Sequence, residues 1–131
     1  MSAGDLRFAG YAAIFDRVDR GGDVVRAGAF GDVAAAGVPL LWQHGPASVI
    51  GVVESAREDA RGLRIIAQID NPDGRAARLL RERAVSGLSF GYRARAYRHT
   101  PEGRELAEIE LFEVSVVTHP LQPDARVHFT S

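Results

Sequence analysis

The stretch Gly62–Ala84 constrains the fold more tightly than any other part of the chain. Leu63, Ile65, Ala67 and Ile69 alternate with Arg64, Ile66, Gln68 and Asp70, the period-two pattern of a strand with one buried face. The run passes directly into Asn71-Pro72-Asp73. Asn71 suits a helix cap, and Pro72 suits the first helical position, where the missing N–H is no loss. Ala76, Leu79, Leu80, Arg83 and Ala84 then recur at helical spacing, with Arg75, Arg78, Arg81 and Glu82 elsewhere. This predicts an amphipathic helix ending near Ala84. Its arginine face reads as solvated surface.

Strand-like runs fill most of the remaining chain. Leu6–Phe15 is apolar and aromatic, with Gly10 as a bulge or close-packing point. Residues 16–23 alternate charge around Gly21-Gly22 and read as a loop. Arg26–Ala36 carries Phe30 and Val33 at helical spacing and predicts a short helix, weakened by Gly28 and Gly31 and ended by Gly37. Val38–Gln43 is a buried strand that Pro39 opens. Val49–Ser55 pairs with Gly62–Ile69 across the polar turn Arg57–Arg61, and Ser89–Arg98 pairs with Glu105–Thr118 across Thr100-Pro101-Glu102-Gly103. Pro120 and Pro123 stop the last strand, leaving 121–131 as a tail. A chain of 131 residues holds one core, so residues 1–131 are expected to form a single domain. The fold class expected is mostly β (α+β): a small, closed or nearly closed, largely antiparallel β-barrel with two flanking helices, because closure removes exposed strand edges.

Composition excludes several classes. There is no cysteine, hence no disulfide and no thiolate zinc site. The net charge of −1 gives no basic field for nucleic acid. No apolar run is long enough to span a bilayer, and the chain does not open like a signal peptide. The histidines lack the close spacing of a zinc motif, and Asp16, Asp19 and Asp23 miss the calcium-loop pattern. The expectation is therefore no metal, no cofactor, no nucleic acid and no membrane.

The chemistry centres on Val85-Ser86-Gly87-Leu88-Ser89-Phe90-Gly91-Tyr92. Flanking glycines permit close backbone approach and present Ser89 as a nucleophile; the same pattern also fits a helix-ending turn before a strand. His44 directly follows a buried strand and precedes Gly45-Pro46, a place that holds a side chain rigidly while exposing its tip. A serine hydroxyl needs a base to take its proton, and the base works best when a third group fixes its tautomer. Glu113 is a candidate for that third part: it shares a strand face with Ile109, Leu111, Ser115 and Val117, and a carboxylate on an apolar face needs a partner. The opposite face, Phe112, Val114 and Val116, is an equally periodic choice for burial and would leave Glu113 in solvent. His119, just past the same strand, is a rival for the third position, and Ser86 is the neighbouring alternative nucleophile. His99 and His128 read as loop and tail residues.

Five pieces taken in order resemble one family. They are Phe8-Ala9-Gly10-Tyr11-Ala12-Ala13-Ile14-Phe15-Asp16; Gly28-Ala29-Phe30; Pro39-Leu40-Leu41-Trp42-Gln43-His44 leading to Ile50-Gly51; Gly87-Leu88-Ser89-Phe90-Gly91-Tyr92; and Leu111-Phe112-Glu113-Val114-Ser115-Val116-Val117-Thr118-His119-Pro120. Together they resemble the prohead (procapsid) maturation proteases of tailed bacteriophages and prophages, whose fold is similar to that of the herpesvirus assemblins. The resemblance implies a serine endopeptidase with Ser89 as nucleophile, His44 as base and Glu113 as the third member, favoured over His119 because it lies at the matching place. It also implies a barrel ringed by helices that works in the cytoplasm inside an assembling procapsid. The substrate implied is the scaffolding segment of the major capsid protein, and often the protease itself, with a homo-oligomer or weak dimer in solution. The chain is short for the family, which fits a core-only protease, a self-trimmed product or a minimal form from a gene transfer agent.

Two other classes compete. A non-enzymatic internal scaffold module would use the same barrel with Ser89 and His44 serving structure. A ligand-binding or flavin-type barrel would need an apolar pocket with convergent polar groups.

Overall fold

The computed structural model describes residues 6–31 and 37–130. Strands β1 (Leu6–Ile14), β2 (Asp23–Val25), β3 (Pro39–Trp42), β4 (Val49–Glu58), β5 (Gly62–Ile69), β6 (Gly87–Thr100), β7 (Gly103–Val117) and β8 (Val127–Thr130) form a single sheet, with one helix, α1 (Arg75–Arg81), between β5 and β6. Its order is β7-β3-β4-β5-β1-β8, with β6 on one side of β7 and β2 sharing the other with β3. Both β2 and β3 run parallel to β7, at Arg104–Leu106 and Val114–Val116 respectively. The other pairs are antiparallel.

The alternation in β5 sets the inner face. Leu63, Ile65, Ala67 and Ile69 are at most 1% exposed, while Arg64, Ile66 and Gln68 are half-buried. They meet Phe8, Leu40, Val53, Leu88, Val114, Val116 and the Ala77 and Leu80 stripe of α1 in one core. Each aliphatic side chain buried there contributes about 1.5–3 kcal/mol, and a one-residue slip of β5 would turn its whole apolar set outward.

The sheet curls into a half-barrel. No ladder joins β6 to β1 among the described residues. Residues 125–127 are wedged between them instead: the Leu88 amide donates to the Ala125 carbonyl, the Tyr11 amide to Arg126 and the Val127 amide to Ser86. Gly10 makes room for this wedge, since a Cβ there would lie 2.6 Å from the Arg126 carbonyl oxygen and 2.8 Å from Leu88 Cδ1. Gly10 is thus the close-packing point the sequence suggests, and the intervening segment is why the expected ladder around a closed barrel is not formed.

Among the described residues, one of the two expected helices forms. Arg26–Gly31 makes two successive four-residue turns, with the Ala29 amide on the Arg26 carbonyl and the Gly31 amide on the Gly28 carbonyl, and Gly28 (φ 89°) and Gly31 (φ 59°) take left-handed conformations that no α-helix contains. The Glu58 carboxylate accepts the Gly28 and Phe30 amides and pins these turns to β4. The rest of the predicted helix, 32–36, lies outside the described residues. Helix α1 is also shorter than its periodicity predicts. Asn71 caps a preceding turn rather than the helix, its side chain accepting the Asp73 amide, and Gly74 is the N-cap. Arg83, at φ 59°, ends the helix ahead of Ala84. The expected tail contains β8, which adds to the edge of β1. No described helix is long and apolar enough to cross a membrane.

Candidate active site

Strand β7 supplies Glu113, β6 supplies Ser89, and the turn after β3 supplies His44. Strand β3 docks parallel to β7 with Leu41 beside Ser115 and Trp42 beside Val116. The chain then turns sharply, with Gln43 (φ 52°) and His44 (φ 59°) both left-handed. Such a conformation is strained for residues with side chains, by about 1–3 kcal/mol each, and the surroundings hold it. The Gln43 amide donates to the Val116 carbonyl, while the Gln43 side chain donates to Thr118 Oγ1 (2.6 Å) and accepts the Thr118 amide (3.1 Å). Trp42–Ser48 closes the far side through the Trp42 amide on the Ser48 carbonyl.

This turn brings His44 Nδ1 to 2.6 Å from Glu113 Oε1. The Glu113 side chain is 14% exposed and that of His44 43%, so the imidazole bridges a nearly buried carboxylate and solvent. The second oxygen, Oε2, accepts from Ser115 Oγ at 2.6 Å, and the His44 amide donates to the same hydroxyl at 3.2 Å. Both faces of β7 turn out to be used. Val114 and Val116 enter the core, while Glu113 and Ser115 are covered from the other side. Phe112, exposed at 50%, is the extra residue of a bulge between Gly91/Glu113 and Tyr92/Leu111.

Ser89 pairs directly with Ser115, and Gly91 with Glu113. Opposed residues of an antiparallel pair share a face, so Ser89 stands on the face that carries Glu113. It is 5% exposed, and the hydrogen bonds of His44 go to Glu113 and Ser115 rather than to Ser89. Gly91 forms the floor under the carboxylate: a Cβ there would lie 2.5 Å from Glu113 Oε1. His119 is exposed, and the carboxylate on the His44 ring is that of Glu113. Ser86 lies before β6 and accepts from Arg126. His128 donates nothing to the site; it faces Arg64 and Tyr11.

Ser115, Gln43 and Thr118 are the contributors that residue-by-residue reading passes over. Ser115 did carry a signal, a hydroxyl two residues from Glu113 on the same strand face. Gln43 and Thr118 carried none, because their pairing depends on the turn.

Behind the site, Arg104 grips Asp23 through two bonds of 2.9 Å, and Tyr92 donates to the same carboxylate. The Arg104 guanidinium holds the Asp23 carboxyl below the usual range against the opposing effect of burial. Burial, then the Asp23 bond, pushes Tyr92 up to about 12. Tyr92 in turn stacks on Phe90 at 4.9 Å, next to Ser89. This cluster ties β2, β6 and β7 together. Among the described residues no group of acidic or histidine side chains is arranged to hold a metal ion.

Residues 2–131 match the family model described as caudovirus prohead serine protease. The prohead protease of Enterobacteria phage HK97 is 31% identical over 130 residues, covering 92% of this chain and 58% of that protein. The capsid polyprotein of Pseudomonas phage PAJU2 is 30% identical over 101 residues, covering 69% of this chain and 15% of that protein. The chain therefore spans little more than half of the first of these relatives and a small part of the second. Among solved structures, the KSHV protease in complex with a hexapeptide phosphonate inhibitor superposes with a TM-score of 0.63 at 10% identity, over 97% of this chain and 65% of that one. The varicella-zoster virus protease gives 0.58 at 14% identity, over 97% and 64%. At such identities the likeness is one of fold.

Proposed function

The chain belongs to the caudovirus prohead serine protease family, and on that premise we propose that it is a serine endopeptidase of capsid maturation. Ser89 is the nucleophile, His44 the general base and Glu113 the carboxylate that orients the imidazole. The observation that supports this best is the 2.6 Å contact between His44 Nδ1 and Glu113 Oε1 on the sheet face that carries Ser89. With Nδ1–H given to Glu113, the lone pair of Nε2 is the one free to take a proton.

In the proposed reaction Ser89 Oγ attacks the scissile carbonyl as its proton passes to His44 Nε2. The imidazolium, stabilised by Glu113, returns that proton to the leaving amine. Water then attacks the acyl-serine by the same route in reverse. The substrate is the scaffolding or N-terminal segment of the major capsid protein inside the procapsid, with cleavage of the protease itself as a further event. The polyprotein relative supports that substrate, since its name joins a matching segment to a capsid product. Beyond its start, the outer edge of β6 has no strand partner among the described residues, and an extended peptide can add to such an edge.

The test is co-expression with the capsid protein of the same phage or prophage element, wild type against Ser89→Ala, reading the capsid N-terminus by intact mass. Shortening with wild type alone is the expected result. Equal shortening with both moves the nucleophile away from Ser89. Intact capsid protein in assembled shells with both favours the second reading, an internal assembly module, to which the burial of Ser89 (5% exposed) lends support.

A further inference from the structure

We infer that Ser115 is a positioning residue that locks the His44–Glu113 pair in its working orientation, a role that rests on the serine-protease reading above. Ser115 is fully buried, lies outside the proposed triad, and its hydroxyl makes two contacts, both to that pair. A carboxylate only accepts, so the single hydroxyl proton goes to Glu113 Oε2, and the oxygen lone pair receives the His44 amide. The result is a closed ring: His44 Nδ1 to Glu113 Oε1, Glu113 Oε2 to Ser115 Oγ, and Ser115 Oγ back to the His44 main chain.

Each link compensates for a weakness. The terminal torsion of a glutamate is soft and does not choose a carboxylate plane by itself; Ser115 fixes the second oxygen and so aims the first. The His44 backbone is left-handed and would relax toward ordinary values without its restraints. The Ser115 hydroxyl restrains it at the amide, next to the Val116 carbonyl that holds Gln43. Because Ser115 is cross-strand from Ser89, the residue that aims the imidazole also sits opposite the proposed nucleophile. A hydroxyl kept only to satisfy itself in a buried strand would need one partner. This one ties two separate parts of the pair to a single rigid position.

Two readouts on the full chain test this. One is the ¹H resonance of the His44 Nδ1 proton at low temperature, assigned by its loss in His44→Ala. The other is labelling of Ser89 by an alkyl fluorophosphonate, followed by intact mass; Ser89 Oγ bonds to phosphorus, fluoride leaves, and the hydroxyl proton passes to His44. Ser115→Ala is expected to shift or broaden the ring-proton signal and to slow the maximal labelling rate roughly 10- to 100-fold, the loss typical of a misaligned catalytic group, with half-saturating probe unchanged. Ser115→Thr and Ser115→Val match each other in shape and differ in the hydroxyl, so Thr should recover signal and rate where Val does not. A Ser115→Ala protein with wild-type ring-proton signal and labelling rate overturns the inference and leaves the protease reading intact. A wild-type protein that resists the probe, with a ring proton that still responds to Ser115, confirms the lock and overturns the protease reading.

Discussion

Gly91→Ala is the substitution that separates site geometry from fold stability most cleanly. Gly91 sits opposite Glu113 in the β6–β7 ladder, and its backbone is outside the left-handed region, so alanine fits the main chain. The added Cβ meets Glu113 Oε1 at 2.5 Å, Cγ at 2.9 Å and Cδ at 3.0 Å. An ordinary C···O approach is about 3.3 Å, so the oxygen must withdraw by about 0.8 Å. That oxygen is the one 2.6 Å from His44 Nδ1. Displacement of a catalytic group by about 1 Å lowers rates about 100-fold, equivalent to about 2.7 kcal/mol of transition-state stabilisation. The fold should not suffer equally, because the clash is with the Glu113 side chain from Cγ outward and not with backbone. Replacing glycine by alanine in a compatible conformation restricts the unfolded chain and adds about 0.4–1 kcal/mol of stability. The assay pairs capsid cleavage or fluorophosphonate labelling with urea denaturation. The expected outcome is an unfolding midpoint at or above wild type together with activity down about 100-fold. Activity within about threefold of wild type, less than about 0.7 kcal/mol, would refute the reasoning, since it would mean the position of Glu113 Oε1 is immaterial. A loss of stability matching the loss of activity would refute it equally.

Two further outcomes concern the scaffold. Asp23→Asn removes the charge that Arg104 and Tyr92 share and should lower stability by about 2–3 kcal/mol. Because Arg104 depresses the Asp23 pKa, this contribution is complete above the ordinary Asp value of about 4 and is lost as pH falls through the lower, folded-state value. Denaturation series across that range should therefore show the wild-type advantage over Asn shrinking in acid; an advantage constant with pH would contradict the assignment. Gln122→Ala strips the side chain that pairs with both the amide and the carbonyl of Ile14 at 2.8 Å, in a buried setting. Unpaired buried groups cost about 1–3 kcal/mol each, so the unfolding free energy should fall by an amount of that order, and the Ile14 amide should exchange faster with deuterium. Unchanged exchange would show that water replaces the glutamine there.

Most of the long strands were legible in the sequence because one physical rule wrote them. A strand that buries one face alternates, and β5 does so from Leu63 to Ile69 with buried residues at each expected position. Among the short strands, β3 was legible from its apolar run behind Pro39, but β2 and β8 escaped because three or four residues cannot display a period. Asp23-Val24-Val25 reads as loop next to Gly21-Gly22, and becomes β2 because β7 offers it a parallel edge at Arg104–Leu106. Val127–Thr130 carries Phe129 exposed at 62%, so burial leaves no imprint on it; its place is set by pairing with β1. The described part of the expected Arg26–Ala36 helix, 26–31, departs from the expectation for a different cause. Phe30 does bury, as its helical spacing anticipates, but through turns anchored by Glu58, a partner 28 residues away in sequence that no local pattern announces.

The candidate site divides along the same line. His44 and Glu113 were legible because their chemistry is unusual for their surroundings: an exposed-tip imidazole at a strand end, and a carboxylate on an apolar strand face that must find a counterpart. Their meeting at 2.6 Å answers that requirement. What makes the meeting possible was not legible, because it resides in the sharp left-handed turn at Gln43-His44, and left-handed residues with ordinary side chains leave no compositional mark. That turn is sustained by Thr118, the Val116 carbonyl and the Ser115 hydroxyl, all on or directly after β7, the strand that bears Glu113. The imidazole and the carboxylate are therefore referenced to one rigid element rather than to two independent loops, and Ser89 is laddered to that same element across from Ser115. A displacement of β7 would carry the three proposed catalytic residues together. A change at Gly91 or Ser115 would separate them. Sensitivity of activity should accordingly concentrate at these small residues beside the proposed triad, and not at the large apolar residues of the core, whose loss would be felt first in stability.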